Sequence, residues 1–506
     1  MEINRTKAFM LNSLTTAGYQ LVVMLSGFIV PRILLKHYGS EINGLVSSIA
    51  QFISYFSLVE AGIAGAAVFA LYKPLAQNDM PTINNVLSSA KQFYAKSGSV
   101  YLLLLLAFAL IFPLFVHVGA LSGRAMAVLI LALGGKWVLD FFCGGKYNVI
   151  LTADQKLYAV SIASSVCVAL QTFIIVVLAL RGVSIVLVYL LSLIAFVTRN
   201  LILWLFVKWK YPQVTFQGEV SSGCLDKRWD AFFLQILGVV QVGAPVVIAT
   251  IFLSLKEVSV YAVFNMVFVG LSGILGIFIS GLSASFGDVI ARKDEPLLQS
   301  AYGDFEFAYY VLIGLVFAVT MILVMPFIRI YTAGIHDVNY DVPVLGVLFV
   351  ANGFLYNLKT PQGMMVISAG LYRETRWRSL IQALIIVVLG CLLALLYGLV
   401  GILVASIVSN LYRDIDLAVY IPRHVTHTPV SVSVIRMIKC VLLFFVIFLP
   451  SLLFTLEPRS LPSWCACALF VCVYAALITL AFLFLFERKN LRRILQRFRQ
   501  CRVASR

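Results

Sequence analysis

The sequence predicts an all-α polytopic membrane protein of about fourteen transmembrane helices, arranged as two pseudo-symmetric six-helix lobes plus an appended C-terminal helix pair. Three observations predict it. Apolar stretches of about 20 residues alternate with short polar breaks along the whole chain, and a helix needs roughly 20 residues to cross about 30 Å of hydrocarbon. The 506 residues are 61% hydrophobic and 12% charged, with a mean hydropathy of +0.99, far from a soluble average. Finally, a polar segment that follows the second span recurs after the eighth. Helix is the physical default, because lipid offers backbone groups no hydrogen-bond partner.

The spans read as 8–31, 43–70, 98–120, 125–151, 157–180, 183–207, 231–253, 258–286, 306–328, 342–368, 378–398, 399–421, 434–455 and 463–486. The weakest boundary lies between Gly398 and Gly401, where two spans meet with hardly any loop; merging them leaves thirteen. Charge placement favours fourteen with both termini cytoplasmic: 27 of the 38 Lys+Arg then fall on inner segments, as the positive-inside rule requires. Seven fall on outer loops (Arg32 and Arg329 among them, read as interfacial anchors), and Lys136, Lys146, Arg199 and Lys359 fall inside apolar windows. The formal net charge of +16 is therefore spread over inner loops and the tail. The tail at 488–500 reads as an amphipathic helix facing anionic lipid rather than as a nucleic-acid site. The first span is long, polar-spotted and without a small-residue cleavage site, and is expected to be retained.

The segment at 73–94 aligns with 288–309, pairing Ala76 with Ala291, Asp79 with Asp294, Pro81 with Pro296 and Tyr94 with Tyr309. Each copy places an Asp two residues before a Pro, a workable helix start. A fainter echo pairs 152–158 with 368–374. Six spans separate the copies, and an even number returns the chain to the same face. The halves are thus parallel repeats about an axis along the membrane normal, the arrangement of alternating-access transporters. The expected divisions are an N-terminal lobe over 1–210, a linker over 211–230, a C-terminal lobe over 231–423, the extra pair over 424–486 and a basic tail over 487–506.

No segment between spans is long enough for a soluble catalytic or nucleotide-binding domain, so an enzyme is not expected. Nine cysteines behave as small apolar residues, and the CxC at 465–467 lacks a second pair. GGKW at 134–137 and GGKY at 144–147 lack the strand and Ser/Thr of a phosphate loop; small residues there allow close helix packing. Asp414 and Asp416 mimic a sugar-transferase metal pair without a domain to hold a nucleotide sugar, and His424 and His427 lack a third ligand.

Ionisable groups at membrane depth cost on the order of 3 kcal/mol each and normally face the bundle interior. Lys136 and Asp140 lie one turn apart on the fourth span, where they line a cavity or neutralise one another as an i, i+4 pair. Lys146 and Arg199 lie near the inner end, within reach of a cavity or of the headgroups; Lys359 lies deeper, in the tenth span. Asn12, Thr16 and Gln20 form an i, i+4, i+8 polar stripe suited to sugar hydroxyls or to helix–helix hydrogen bonds. Glu60 is a cavity acid or an acceptor for loop amides. Four basic against two acidic deep residues, Glu60 and Asp140, lean toward an anionic cargo.

Several stretches carry a family resemblance: Asn12 to Gly18, HYGSEINGLVSSIAQF at 37–52, SLVEAGI at 57–63 and LYKPLA at 71–76. In the second half they are EVSVYAVFNMV at 257–267, SGLSASFGD at 280–288, PFIRIYTAGI at 326–335 and TPQGMMVISAGLY at 360–372. In this order the chain resembles the Wzx-type polysaccharide repeat-unit flippases of the multidrug/oligosaccharidyl-lipid/polysaccharide exporter superfamily. The resemblance implies export of an undecaprenyl-diphosphate-linked oligosaccharide across the bacterial cytoplasmic (inner) membrane for surface polysaccharide, lipopolysaccharide or capsule. It implies partnership with polysaccharide polymerase machinery, while the basic tail points to anionic membrane lipids and not to nucleic acid. No cofactor is expected; if transport is coupled to H⁺ or Na⁺, Glu60 and Asp140 are the candidate sites. A drug/cation antiporter would favour acidic cavity residues, and a polymerase or ligase of lipid-linked glycans would need a large outer loop with Arg or His. The longest outer loop, roughly 329–341, argues against the latter.

Overall fold

The structure is a computed structural model and describes residues 5–60, 63–218, 229–279, 282–453 and 456–488. Most of the basic tail and the middle of the 211–230 linker lie outside them. The helices are α1 (Arg5–Phe56), α2 (Ile63–Gln77), α3 (Met80–Phe115), α4 (Gly123–Leu139), α5 (Gly145–Ala153), α6 (Leu157–Leu180), α7 (Ile185–Lys210) and α8 (Trp229–Phe252). They continue as α9 (Leu255–Ile279), α10 (Leu282–Ala291), α11 (Glu295–Tyr331), α12 (Pro343–Leu358), α13 (Thr360–Ser368), α14 (Tyr372–Ile421), α15 (Val430–Ser451) and α16 (Leu461–Phe486). No strand occurs among the described residues.

Eleven of these helical stretches are long and apolar enough to cross a membrane, which makes the chain a multi-pass membrane protein. Two of the stretches are double. α1 leaves helical geometry at Gly39 (φ 83°, ψ 173°) and α14 at Gly398 (φ 58°, ψ −135°). Positive φ is where a side chain is penalised and glycine is not, so each long helix is two spans joined through one residue. The Gly398 junction is the boundary that was weakest in sequence. Counting α12 and α13 as one broken span gives the fourteen spans expected.

The internal repeat is visible in backbone geometry. Asp79 and Asp294, 215 positions apart, adopt nearly the same angles (φ −79°, ψ 85° and φ −85°, ψ 80°). Each caps the following helix by accepting from the backbone N–H three residues on, Thr82 and Leu297, both at 3.1 Å. Left-handed residues recur in step: Asn78 with Lys293, Gln155 with Gly370, and Gly182 with Gly398 one position later. These are the loops between spans, so the two halves turn corners in the same places. Losing one cap costs on the order of 1 kcal/mol, and Asp294→Ala is expected to lower the thermal midpoint by a few degrees without changing insertion. At Asp79 the Thr82 hydroxyl and amide hold the carboxyl below the usual carboxylate range. Its capping contribution is therefore complete at neutral pH and is lost as pH falls through that lowered value.

The chain packs as two compact units, Met1–Ala262 and Val263–Arg506. The division falls within α9, past the 211–230 segment. In the first unit, α8 lies along the second half of α1, where Ser48 and Thr250 hydroxyls meet at 2.7 Å. Asn43 Nδ2 donates to Ser259 Oγ at 2.7 Å, and Gly44 lies so close to the Leu255 backbone that no Cβ fits. Small residues and hydroxyls are what let helices approach in lipid. The same unit joins α3 to α4 through Tyr101, whose hydroxyl donates to the Gly134 carbonyl at 3.0 Å. The core of the second unit is aromatic, with Phe349 stacked on Phe264 and Phe268 at 5.3 and 5.6 Å between ring centroids. Leu110, Leu114, Leu395 and Leu396 are exposed, as lipid-facing positions should be.

Candidate functional site

Among the described residues, each unit contains a span whose helix is interrupted beside charged side chains. In the first unit α4 gives way to a π-helical segment at Asp140–Gly144 before α5 resumes. Insertions of this kind free backbone groups and mark functional sites. Here the Leu139 carbonyl accepts a 3.4 Å hydrogen bond from Asn200 Nδ2 on α7. Asp140, the first residue of the π segment, is ion-paired with Arg199 of α7, and Arg199 Nε also donates to Ser164 Oγ of α6 at 3.1 Å.

The local pairing weighed for Lys136 and Asp140 therefore gives way to a long-range one. Arg199 takes the carboxylate because α7 packs beside the π segment and delivers a guanidinium to it. Lys136 is half-buried with its ammonium 6.0 Å from the Trp137 ring centroid, at the outer limit of a cation–π contact. It makes no ion pair among the described residues. Glu60 ends a 3-10 turn, Ser57–Glu60, and accepts from the Tyr94 hydroxyl at 3.0 Å. Asp140 and Arg199 are the charges that act on it. Lys136, Asp140, Arg199 and Glu60 thus share one neighbourhood.

Other expected residues are used differently. Asn12 Nδ2 donates to the Gln155 carbonyl at 2.7 Å and its Oδ1 accepts from Tyr158 N at 2.8 Å; the Thr16 and Ser161 hydroxyls meet at 3.2 Å. This end of the polar stripe binds α1 to α6. Gln20 is half-buried on the same helix, and α1 brings the unforeseen Tyr19 within the field of the Asp140–Arg199 pair. Lys146 lies over the rings of Tyr147 and Phe216, at 5.0 and 5.4 Å.

In the second unit the interruption falls at Lys359, between α12 and α13, with Pro361 opening the new helix. Proline lacks an N–H and is tolerated in a first turn. Lys359 occupies the position equivalent, 215 residues on, to Gly144 at the end of the π segment. Its ammonium donates to Asn410 Oδ1 and lies 4.9 Å from the Tyr356 ring centroid. Asn410 Nδ2 in turn donates to Asn352 Oδ1 at 2.9 Å. One turn beyond Asn410, Asp414 is buried.

Two acids not counted as deep in the sequence, Glu306 and Asp414, are buried here. Glu306 of α11 is 0% exposed. It is held by Arg436 of α15 at 2.5 Å, Tyr302 at 3.1 Å and Gln362 at 3.0 Å. Beside Asp414, the half-buried Asp416 is shared by Arg413 at 2.7 Å and by Arg378. The tally of four bases against two acids is thereby corrected: Glu306, Arg413 and Asp414 lie within apolar windows, toward their inner ends, and all three are buried. The repeat offset could have found Asp414, since 215 residues separate it from Arg199.

No protein-family model matches the chain, and no curated protein does. Solved structures do. A structure described as "Lipid II flippase MurJ, inward closed conformation" superposes with a TM-score of 0.62 at 16% identity, over 95% of this chain and 100% of that one. The fold is that of a known group of membrane transporters. An inward-facing multidrug resistance MATE family transporter of the MOP superfamily gives 0.59 at 15% identity, over 80% of this chain and 96% of its own. The eukaryotic MATE transporter AtDTX14 gives 0.56 at 13%, over 86% and 99%.

Proposed function

We propose that the chain flips an undecaprenyl-diphosphate-linked oligosaccharide across a bacterial cytoplasmic membrane, by alternating access and through cationic sites at the broken spans. The observation that carries this reading is Lys136: a cation within an apolar span, beside an interrupted helix, whose nearest carboxylate is already committed to Arg199. A diphosphate is a cargo that such a cation would hold. Lys359 supplies a second cation at the equivalent break. Discontinuous helices recur at transporter binding sites because their free backbone groups and ends meet the cargo. Anionic lipids and a polymerase are the partners the reading implies, and Glu60 and Asp140 remain its acids for H⁺ or Na⁺ coupling.

A drug/cation antiporter is the second reading, favoured by the buried Glu306 and Asp414 and by the fold shared with MATE transporters. Reconstituted protein separates the two. A fluorescent lipid-diphosphate oligosaccharide should change leaflets in vesicles containing the protein, while a cationic dye should not accumulate. Lys136→Ala and Lys359→Ala should each reduce flipping at least tenfold with insertion unchanged. Normal flipping in both variants removes the cationic assignment, and dye accumulation without flipping establishes the antiporter.

A further inference from the structure

Asp414 has no task in the flippase reading, and its surroundings are unusual for a carboxylate. The residue is 3% exposed, and neither of its side-chain oxygens has a hydrogen-bond partner among the described residues. Buried polar atoms are nearly always satisfied, and an exception calls for an explanation. The repeat supplies a comparison. Arg199 holds the equivalent position in the first unit and is closed by a direct pair to Asp140 on its interrupted span. In the second unit the charges are exchanged: the base, Lys359, is on the interrupted span and the acid is on the later helix. There the pair is open, because the Lys359 ammonium is spent on Asn410 Oδ1.

Among the described residues, two groups on other helices act on Asp414. Lys359 acts on it from the α12–α13 break, and Tyr310 of α11 lies within its field. Arg413, its chain neighbour, is committed to Asp416. A metal-sized cation at Asp414 would sit against an ammonium ion, whereas a proton neutralises the carboxylate and needs no further ligand. Burying an ionised carboxylate without a partner costs far more than burying the neutral acid.

We infer that Asp414 is a proton-binding site, closed by a proton in this conformation and by Lys359 once the proton has left. The exchange balances simply. The Oδ–H bond of Asp414 breaks, the proton passes to water, and the Lys359 ammonium moves from Asn410 Oδ1 to the new carboxylate. The second unit then reproduces the closed pair of the first. The inference concerns what powers the cycle, so it is independent of the cargo.

Infrared difference spectroscopy on the purified full-length chain in lipid nanodiscs tests it with no glycan present. Acidification at fixed Na⁺ should raise a protonated-carboxyl band that is missing in Asp414→Asn. In Asp414→Glu the band should move in frequency rather than vanish, so the assignment survives if the Asn variant folds poorly. Lys359→Met should strengthen the band at neutral pH, since removing an opposite charge disfavours the ionised form. An unchanged band in both Asp414 variants, or a band that responds to Na⁺ at fixed pH, overturns the inference. So does a Lys359→Met spectrum identical to the parent's.

Discussion

Arg199→Ala is expected to abolish transport and to lower stability by about 3 kcal/mol or more. The truncation leaves Asp140 on the π segment without its ion-pair partner and removes the donor to Ser164. An uncompensated charge within a span is costlier than no charge, because neither lipid nor packed side chains replace the lost guanidinium. The double variant Arg199→Leu with Asp140→Asn should recover most of the thermal midpoint without recovering transport. Separating the two readouts distinguishes a pair that only staples α4 to α7 from one that also serves the cycle. Full transport in the double variant would reduce the pair to a staple.

Arg436→Ala should produce a comparable loss of stability, about 3–5 kcal/mol, in the second unit. Glu306 is fully buried and Arg436 is its only cationic partner among the described residues; Tyr302 and Gln362 complete its hydrogen bonds. The pair joins α15, the first of the appended helices, to α11. Cys440, one turn along α15, is buried and donates to the Tyr310 carbonyl at 3.2 Å. Its reaction with a maleimide should therefore quicken in Arg436→Ala and return toward the parent rate when Glu306→Gln is added. A labelling rate that does not change would mean that α15 stays docked by apolar packing alone.

The two networks differ in how far they could be read from residues. Asp79–Pro81 and Asp294–Pro296 announce helix starts in the sequence, and the structure places both at caps of the same geometry. Capping is local: the acceptor, the donor and the proline lie within four residues, so sequence contains everything that is needed. The Gly398 junction was ambiguous for the opposite reason. Its hydropathy is that of one continuous helix, and only a backbone angle closed to most side chains divides it.

Charge partners were the least legible feature. Sequence proximity suggests Lys136 for Asp140, yet the partner is Arg199, 59 residues away. Glu306 and Arg436 are 130 residues apart, each in the first turn of its apolar window, and nothing in the local sequence links them. Asp414 and Asp416 resembled the metal pair of sugar transferases, and burial rather than spacing gives each a different environment. Even so, the repeat offset that aligns the caps also aligns Arg199 with Asp414, a signal carried by residue spacing alone.

Hydropathy and internal similarity are sums over many residues, and they alone determined the spans, the helical class and the twofold repetition of this protein. Lipid leaves a long apolar segment no choice but helix, so that inference tolerates single-residue error. Which charge meets which was decided only by tertiary structure. Pairing across helices depends on how each is rotated and where its helix breaks, and a π segment or a proline moves a side chain to a new face without altering the hydropathy that reports the span.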